Sequence, residues 1–299
     1  MEQHRGYHQT SFIVLCVGLV MATFLVGRPS TFSAASRAAL AALMLVVIAA
    51  AAWKSGLELA ARAADIEKAA LIGAGLLILP IALFSLMPGY GPPEYADHAR
   101  NAFRYAILGL DATCIGTGMV LVLDALRPPG KRWWTALAFA LISAATPLYL
   151  VWAAVLLQFH RTALATGPAA AVPLDQLLLG VSDALLFFAG LLTYAATAAA
   201  AGALWRGGWL DTRTTGWVAG MSLALLATLV GRGVDFPDPA VVFTQGFKIP
   251  GWIAGIPAVP WMLPCVIGMM IIRRIARQSA RRPTPAVGED GIGGLQPEL

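Results

Sequence analysis

Eight stretches of about 20 mainly apolar residues follow one another along this 299-residue chain, near residues 11–27, 35–53, 69–88, 102–125, 133–158, 176–205, 214–231 and 251–272. A helix needs about 20 such residues to cross the ~30 Å hydrocarbon core of a bilayer, where each backbone N–H and C=O must be satisfied within the element itself. The expected fold class is therefore all-α, a polytopic membrane helix bundle of about eight transmembrane helices. The sixth stretch is long enough to tilt or to project beyond the bilayer. Charged residues make up 12% of the chain and hydrophobic ones 58%. That balance excludes a soluble globular enzyme and a disordered chain alike.

So little sequence separates the stretches that residues 1–282 are expected to form a single transmembrane domain. Ser33-Ala34-Ala35 offers small residues for signal-peptide cleavage, but the apolar run before it exceeds the usual 7–15 residues, so the first helix is expected to be retained. From Pro283 onward the chain is rich in Gly, Pro and acidic charge without periodicity, and 283–299 reads as a disordered cytoplasmic tail.

Lys and Arg in alternate loops set the orientation. With the amino terminus inside, 14 of the 21 basic residues fall on the inner side and 7 on the outer, which predicts both termini in the cytoplasm and a multi-pass protein of the cell inner membrane. The formal charge of +5 is thereby a topology signal, with Arg273, Arg274, Arg277, Arg281 and Arg282 as its densest group, and no nucleic-acid partner is expected. Trp53, Trp133, Trp134, Trp205, Trp209 and Trp217 mark the inner interface. Cys16, Cys114 and Cys265 lie in different apolar stretches with no C-x-x-C pair, which predicts buried free thiols.

Two carboxylates fall where a bilayer should exclude them. An aspartate at the centre of a spanning helix costs about 2.5–3.5 kcal/mol on insertion scales. Asp111 and Asp183 each lie eight or nine residues from the outer end of their helices, at similar depth. Arg104 shares the face of Asp111 two turns away, too far for a direct pair. Either aspartate could simply lock the bundle by hydrogen bonding a neighbouring helix. Alternatively, a carboxylate in low dielectric favours its neutral form and can carry a proton, or become charged when a cation or donor ligand arrives. Asp124, at the inner end of its helix with Arg127 three residues on, reads as a snorkelling interfacial pair.

Polar chemistry gathers on the outer side. The segment Pro88-Gly-Tyr-Gly-Pro-Pro-Glu-Tyr-Ala-Asp-His98 is too turn-rich to be helical and supplies His98; the loop from Arg232 to Lys248 is longer than a plain connection; and the fifth helix ends at Gln158, His160 and Arg161. In the eighth stretch Pro257, Pro260 and Pro264 would free the carbonyls of Ile253, Ile256 and Pro260. That predicts either a kinked packing helix or a broken outer half lining a cavity. Pro80 and Thr146-Pro147 are weaker cases.

Several membrane chemistries lack their signatures. The four lysines lie at or beyond span edges, against a retinal Schiff base, and no histidine falls within an expected span, against a bis-histidine haem. H-E-x-x-H and G-x-S-x-G are absent, and Gly-Leu-Asp111 with Val-Ser-Asp183 lacks the Tyr-Asp and Gly-x-Gly-Asp pattern of aspartyl intramembrane proteases. No cofactor and no metal site is expected.

The run Phe103-Arg104-Tyr105 through Asp111 to Leu126-Arg127-Pro128, with Ala203-Leu204-Trp205-Arg206-Gly207-Gly208-Trp209-Leu210 after the sixth helix, resembles an uncharacterised bacterial multi-pass family described as domain of unknown function four-three-eight-six. The resemblance covers about half the chain, and the Pro-rich last helix departs from it. It implies the same architecture and carries no activity. The expected function is a binding or transport protein for a small molecule or lipid, with an outward-facing polar cleft between the fourth, sixth and eighth helices. Asp111 and Asp183 would line it; Arg104, Arg232 or His160 would admit an anionic or lipid head group. The alternatives are an integral-membrane enzyme acting on a lipid or isoprenoid, with His98 partnering one aspartate, and a scaffold or sensor subunit with no site of its own.

Overall fold

The computed structural model describes residues 65–83, 98–126, 133–166, 172–232 and 258–279, together with five isolated helical positions between 39 and 50. The stretch expected at 11–27, nearly all of that at 35–53, Pro257 and the tail 283–299 lie outside the described residues. Within them the chain is helical throughout: α1 (Asp65–Leu83), α2 (His98–Ala125), α3 (Trp133–Thr166), α4 (Val172–Arg206), α5 (Thr212–Arg232) and α6 (Ala258–Ser279). Four segments are long and apolar enough to cross a membrane: His98–Ala125, Trp133–Thr162, Gly180–Arg206 and Thr212–Gly231. Their length and composition are compatible with an integral membrane protein.

The distribution of polarity agrees. Phe103, Leu110, Leu150, Val151, Phe188, Leu223 and Val230 point outward and exposed, whereas Asn101, Arg104, Asp111, His160, Ser182, Thr193 and Thr197 are buried. Water would sort these side chains the other way, and hydrocarbon does not. Several hydroxyls inside the helices are satisfied locally. Thr113, Thr146, Thr193, Thr197 and Thr228 each donate to the carbonyl four residues earlier, at 2.7–3.0 Å.

Successive helices pack side by side from α1 to α5, and α6 returns to lie against α1, with further contacts to α2, α4 and α5. α2 and α3 run antiparallel, with Gly109 facing Ala153 and Gly116 facing Thr146. Most of α6 is buried, including Trp261, Ile267, Ile271, Ile272 and Ile275. Its Trp261 meets Tyr149 of α3 edge-on at 5.1 Å. The Tyr149 hydroxyl lies 3.4 Å from that of Thr193 on α4, tying three helices at one buried point. The closest backbone approaches involve α1. A Cβ on Gly118 would stand 2.8 Å from the Gly73 carbonyl, and one on Gly268 2.7 Å from that of Ala74. Small residues thus let α2 and α6 close on α1, as between helices that have no water to drive them together.

α4 ends in a Schellman turn. Gly208 adopts φ 72, Trp209 N–H donates to the Leu204 carbonyl at 2.8 Å and Gly208 N–H to that of Trp205 at 2.9 Å. Asp211 then caps α5, its carboxylate accepting from the Thr214 N–H at 2.7 Å. That bond above all holds the carboxyl below the usual aspartate range. The cap therefore contributes fully above about pH 4, the unfolded value, and is lost as the pH falls through the lower folded value. Asp211→Ala should cost ~1 kcal/mol at neutral pH and nothing in strong acid, read from thermal unfolding in detergent at both pH values.

One expectation is corrected. α2 begins at His98 and α3 runs to Thr166, so His98 and His160 are helical and lie within the two spans. α6 is described from Ala258, with Pro264 in its interior. Among the described residues the freed carbonyl is thus that of Pro260, and Pro260 and Pro264 are both buried in the bundle.

Candidate functional site

The first two turns of α2 carry His98, Asn101, Arg104 and Tyr105, and the facing end of α3 carries Trp152, Phe159 and His160. Positions 98, 101 and 105 follow the i, i+3, i+7 spacing of one helical stripe, and the antiparallel register brings that stripe onto α3. His98 and His160 meet Nδ1 to Nδ1 at 2.9 Å. One ring must carry its proton on Nδ1 and the other must leave Nδ1 bare, so the pair holds one shared proton between the two nitrogens.

The histidine pair is set in an aromatic wall. Tyr105 stacks on His160 with centroids 5.5 Å apart and planes 9° off parallel, and its edge meets Trp152 at 5.4 Å. Phe159 meets both histidine rings edge-on. Arg104 is 8% exposed, Asn101 1% and His160 5%, so the cluster lies inside the helix pair. Arg104 stands within electrostatic reach of His160.

Two turns deeper on the face of Arg104 lies Asp111, which is 0% exposed. Neither of its carboxylate oxygens has a hydrogen-bond partner among the described residues. Leu108, Ala112 and Ile115, on the same side of the helix, are buried and apolar.

The six candidate ligand residues divide. His98, Arg104 and His160 come together at one end of α2 and α3, with Asp111 beneath them. Asp183 is half-buried on α4 and engaged in an interaction of its own; α4 packs along α3 and α5 and touches α2 at few points. Arg232 closes α5, and its side chain lies outside the described residues. Asp124 is exposed, and Arg127 lies outside the described residues. Cys114 and Cys265 are buried and form no disulfide among the described residues. Sequence reading missed Asn101, Tyr105 and Trp152. Starting the helix at His98 would have shown the stripe. No group of three metal-ligating side chains occurs among the described residues. Compared with family models, curated proteins and solved structures, the chain matches none.

Proposed function

We propose that this chain is a multi-pass binding or transport protein of the bacterial inner membrane that takes a small anionic molecule or lipid head group at the His98–His160 end of the bundle. The observation that carries the reading is the buried placement of Arg104 beside a hydrogen-bonded histidine pair, above a carboxylate with no donor. A buried guanidinium draws an anion by its fixed charge, and the histidine pair can pass its shared proton on as charge arrives. Asp111 is the next polar group along the same helix face. About eight spans with both termini in the cytoplasm, and kinship with the family resembled above, belong to the same proposal; neither adds a residue to the site.

An enzyme pairing His98 with Asp111 is less well supported by this geometry. The two are 13 residues apart on one helix, about 20 Å along its axis, too far to share a reacting atom. The lipid profile of a deletion strain is accordingly expected to match that of the parent, since no precursor would accumulate.

The test is a binding screen on the purified protein in neutral detergent, with anionic, neutral and cationic solutes and head groups read by thermal shift. Anions are expected to stabilise the wild type, and Arg104→Gln to weaken that response by about tenfold, the loss of one charge-assisted hydrogen bond. An unchanged response in Arg104→Gln overturns the assignment. Reporter fusions after residues 95 and 240 should read outside and those after 60, 130 and 285 inside; a reversal overturns the orientation.

A further inference from the structure

The opposite end of the bundle carries a second polar feature. The last turns of α6 and the turn joining α4 to α5 enclose a cleft of about 340 Å³, lined by Trp209, Asp211, Arg273, Arg274, Arg277 and Gln278 over an apolar floor of Leu210 and Met270. Residues 273 and 277, and likewise 274 and 278, are four apart, so two neighbouring stripes of donors run down one side of α6. Three guanidinium groups face one carboxylate. That carboxylate, Asp211, is already bound to the Thr214 N–H as the cap of α5. The cleft therefore keeps a net positive charge.

Arg274 is the informative residue. Its guanidinium carbon lies 5.8 Å from the centre of the Trp209 ring, a cation–π contact that fixes the plane of the fork. Its Nε is buried and has no hydrogen-bond partner among the described residues. A buried N–H donor gains most from an acceptor brought to it. Trp209 itself is held by the Schellman turn, so the platform under Arg274 is rigid. The exposed rings of Trp133, Trp205 and Trp217 flank this end, as tryptophans do at head-group depth.

We propose that this cleft binds the phosphodiester of an anionic phospholipid. Phosphate oxygens match the planar fork of arginine two at a time, the glycerol and first acyl carbons lie on Leu210 and Met270, and basic pockets between spanning helices are suited to such head groups. In the orientation proposed above the cleft faces the cytoplasmic leaflet. The inference does not depend on the site at the His98 end, from which it differs in every residue.

The experiment uses the full chain in neutral detergent. Short-chain phosphatidylglycerol, short-chain phosphatidylcholine and inorganic phosphate are titrated separately, with binding read by thermal shift and by lipid retained in native mass spectrometry. Phosphatidylglycerol is expected to stabilise the protein and remain bound, and the other two to do neither. Arg274→Gln and Arg277→Gln should each weaken the phosphatidylglycerol response by about tenfold. Arg213→Gln, which removes an exposed charge outside the cleft, should leave it intact. Because Arg277 is exposed, its variant keeps the test valid if Arg274→Gln fails to fold. An equal response to inorganic phosphate overturns the assignment to a lipid. Equal loss in Arg213→Gln, or no response to phosphatidylglycerol, overturns the cleft.

Discussion

Gly118→Leu is expected to abolish the folded bundle, and Gly118→Ala to weaken it by about 1–3 kcal/mol, a large share of a domain stability of about 5–15. The reason lies in what a side chain would meet. A Cβ at Gly118 would stand 2.8 Å from the Gly73 carbonyl oxygen and 3.0 Å from the Leu76 Cβ, and a Cβ at Gly73 would stand 2.9 Å from the Gly118 carbonyl. These obstacles are backbone atoms and the first carbon of a side chain, so no rotamer change relieves them. About 100° further round α1, Gly268 of α6 comes as close to the Ala74 carbonyl, so a second helix also pins α1. Gly75, two residues from Gly73 on the same helix, meets no described atom within 4 Å. There an alanine should be neutral or stabilising by up to about 1 kcal/mol through helix propensity alone. Opposite signs for Gly73→Ala and Gly75→Ala, read from thermal unfolding in detergent, would establish the close approach. Equal effects would show that α1 and α2 do not pack through glycine.

The helical character of the described residues, and four of the spans, were legible because hydropathy and helix length are the same information in a bilayer. The expected spans 176–205 and 214–231 match α4 and α5 to within a few residues. The errors share a cause. A helix was ended where polar residues began, at Asn101 and after Gln158, yet in a bundle surrounded by lipid a polar residue facing inward continues the helix. His160 extends α3 because its ring is bonded to His98 rather than because water takes it over. The candidate site fell on those misplaced ends, so its three residues were seen singly, in a loop, at a helix start and at a helix stop. Their meeting depends on the antiparallel register of α2 on α3, which a single sequence does not encode in any local pattern. The glycine contacts were hidden for a similar reason. Gly73, Gly118 and Gly268 stand far apart in sequence, and only the packing shows that each faces a carbonyl. Arg273, Arg274 and Arg277 were legible as a topology signal; Trp209, 64 residues before Arg273, turns them into a cleft.

Asp111→Val is expected to make the protein more stable and inactive. A carboxylate that locks a bundle is recognised by the donors it binds, and both oxygens of Asp111 are buried without one among the described residues. Keeping such a group costs about 1–3 kcal/mol, which an apolar side chain of similar volume returns. Asp111→Asn keeps the shape but leaves an amide equally unsatisfied, so its stability should stay near that of the wild type. Both variants should lose the response to ligand or the transport that the proposed site supports, because neither can take up and release a proton. The combination is diagnostic: a structural aspartate would lose stability on either substitution and keep its function as far as the protein folds. Thermal unfolding and ligand response measured on the same preparations therefore separate the two roles. A destabilised Asp111→Val would return Asp111 to the class of bundle locks, and the site would then end at Arg104. A stabilised variant without activity would mean that the chain retains, at the cost of its own stability, an acid that only function requires.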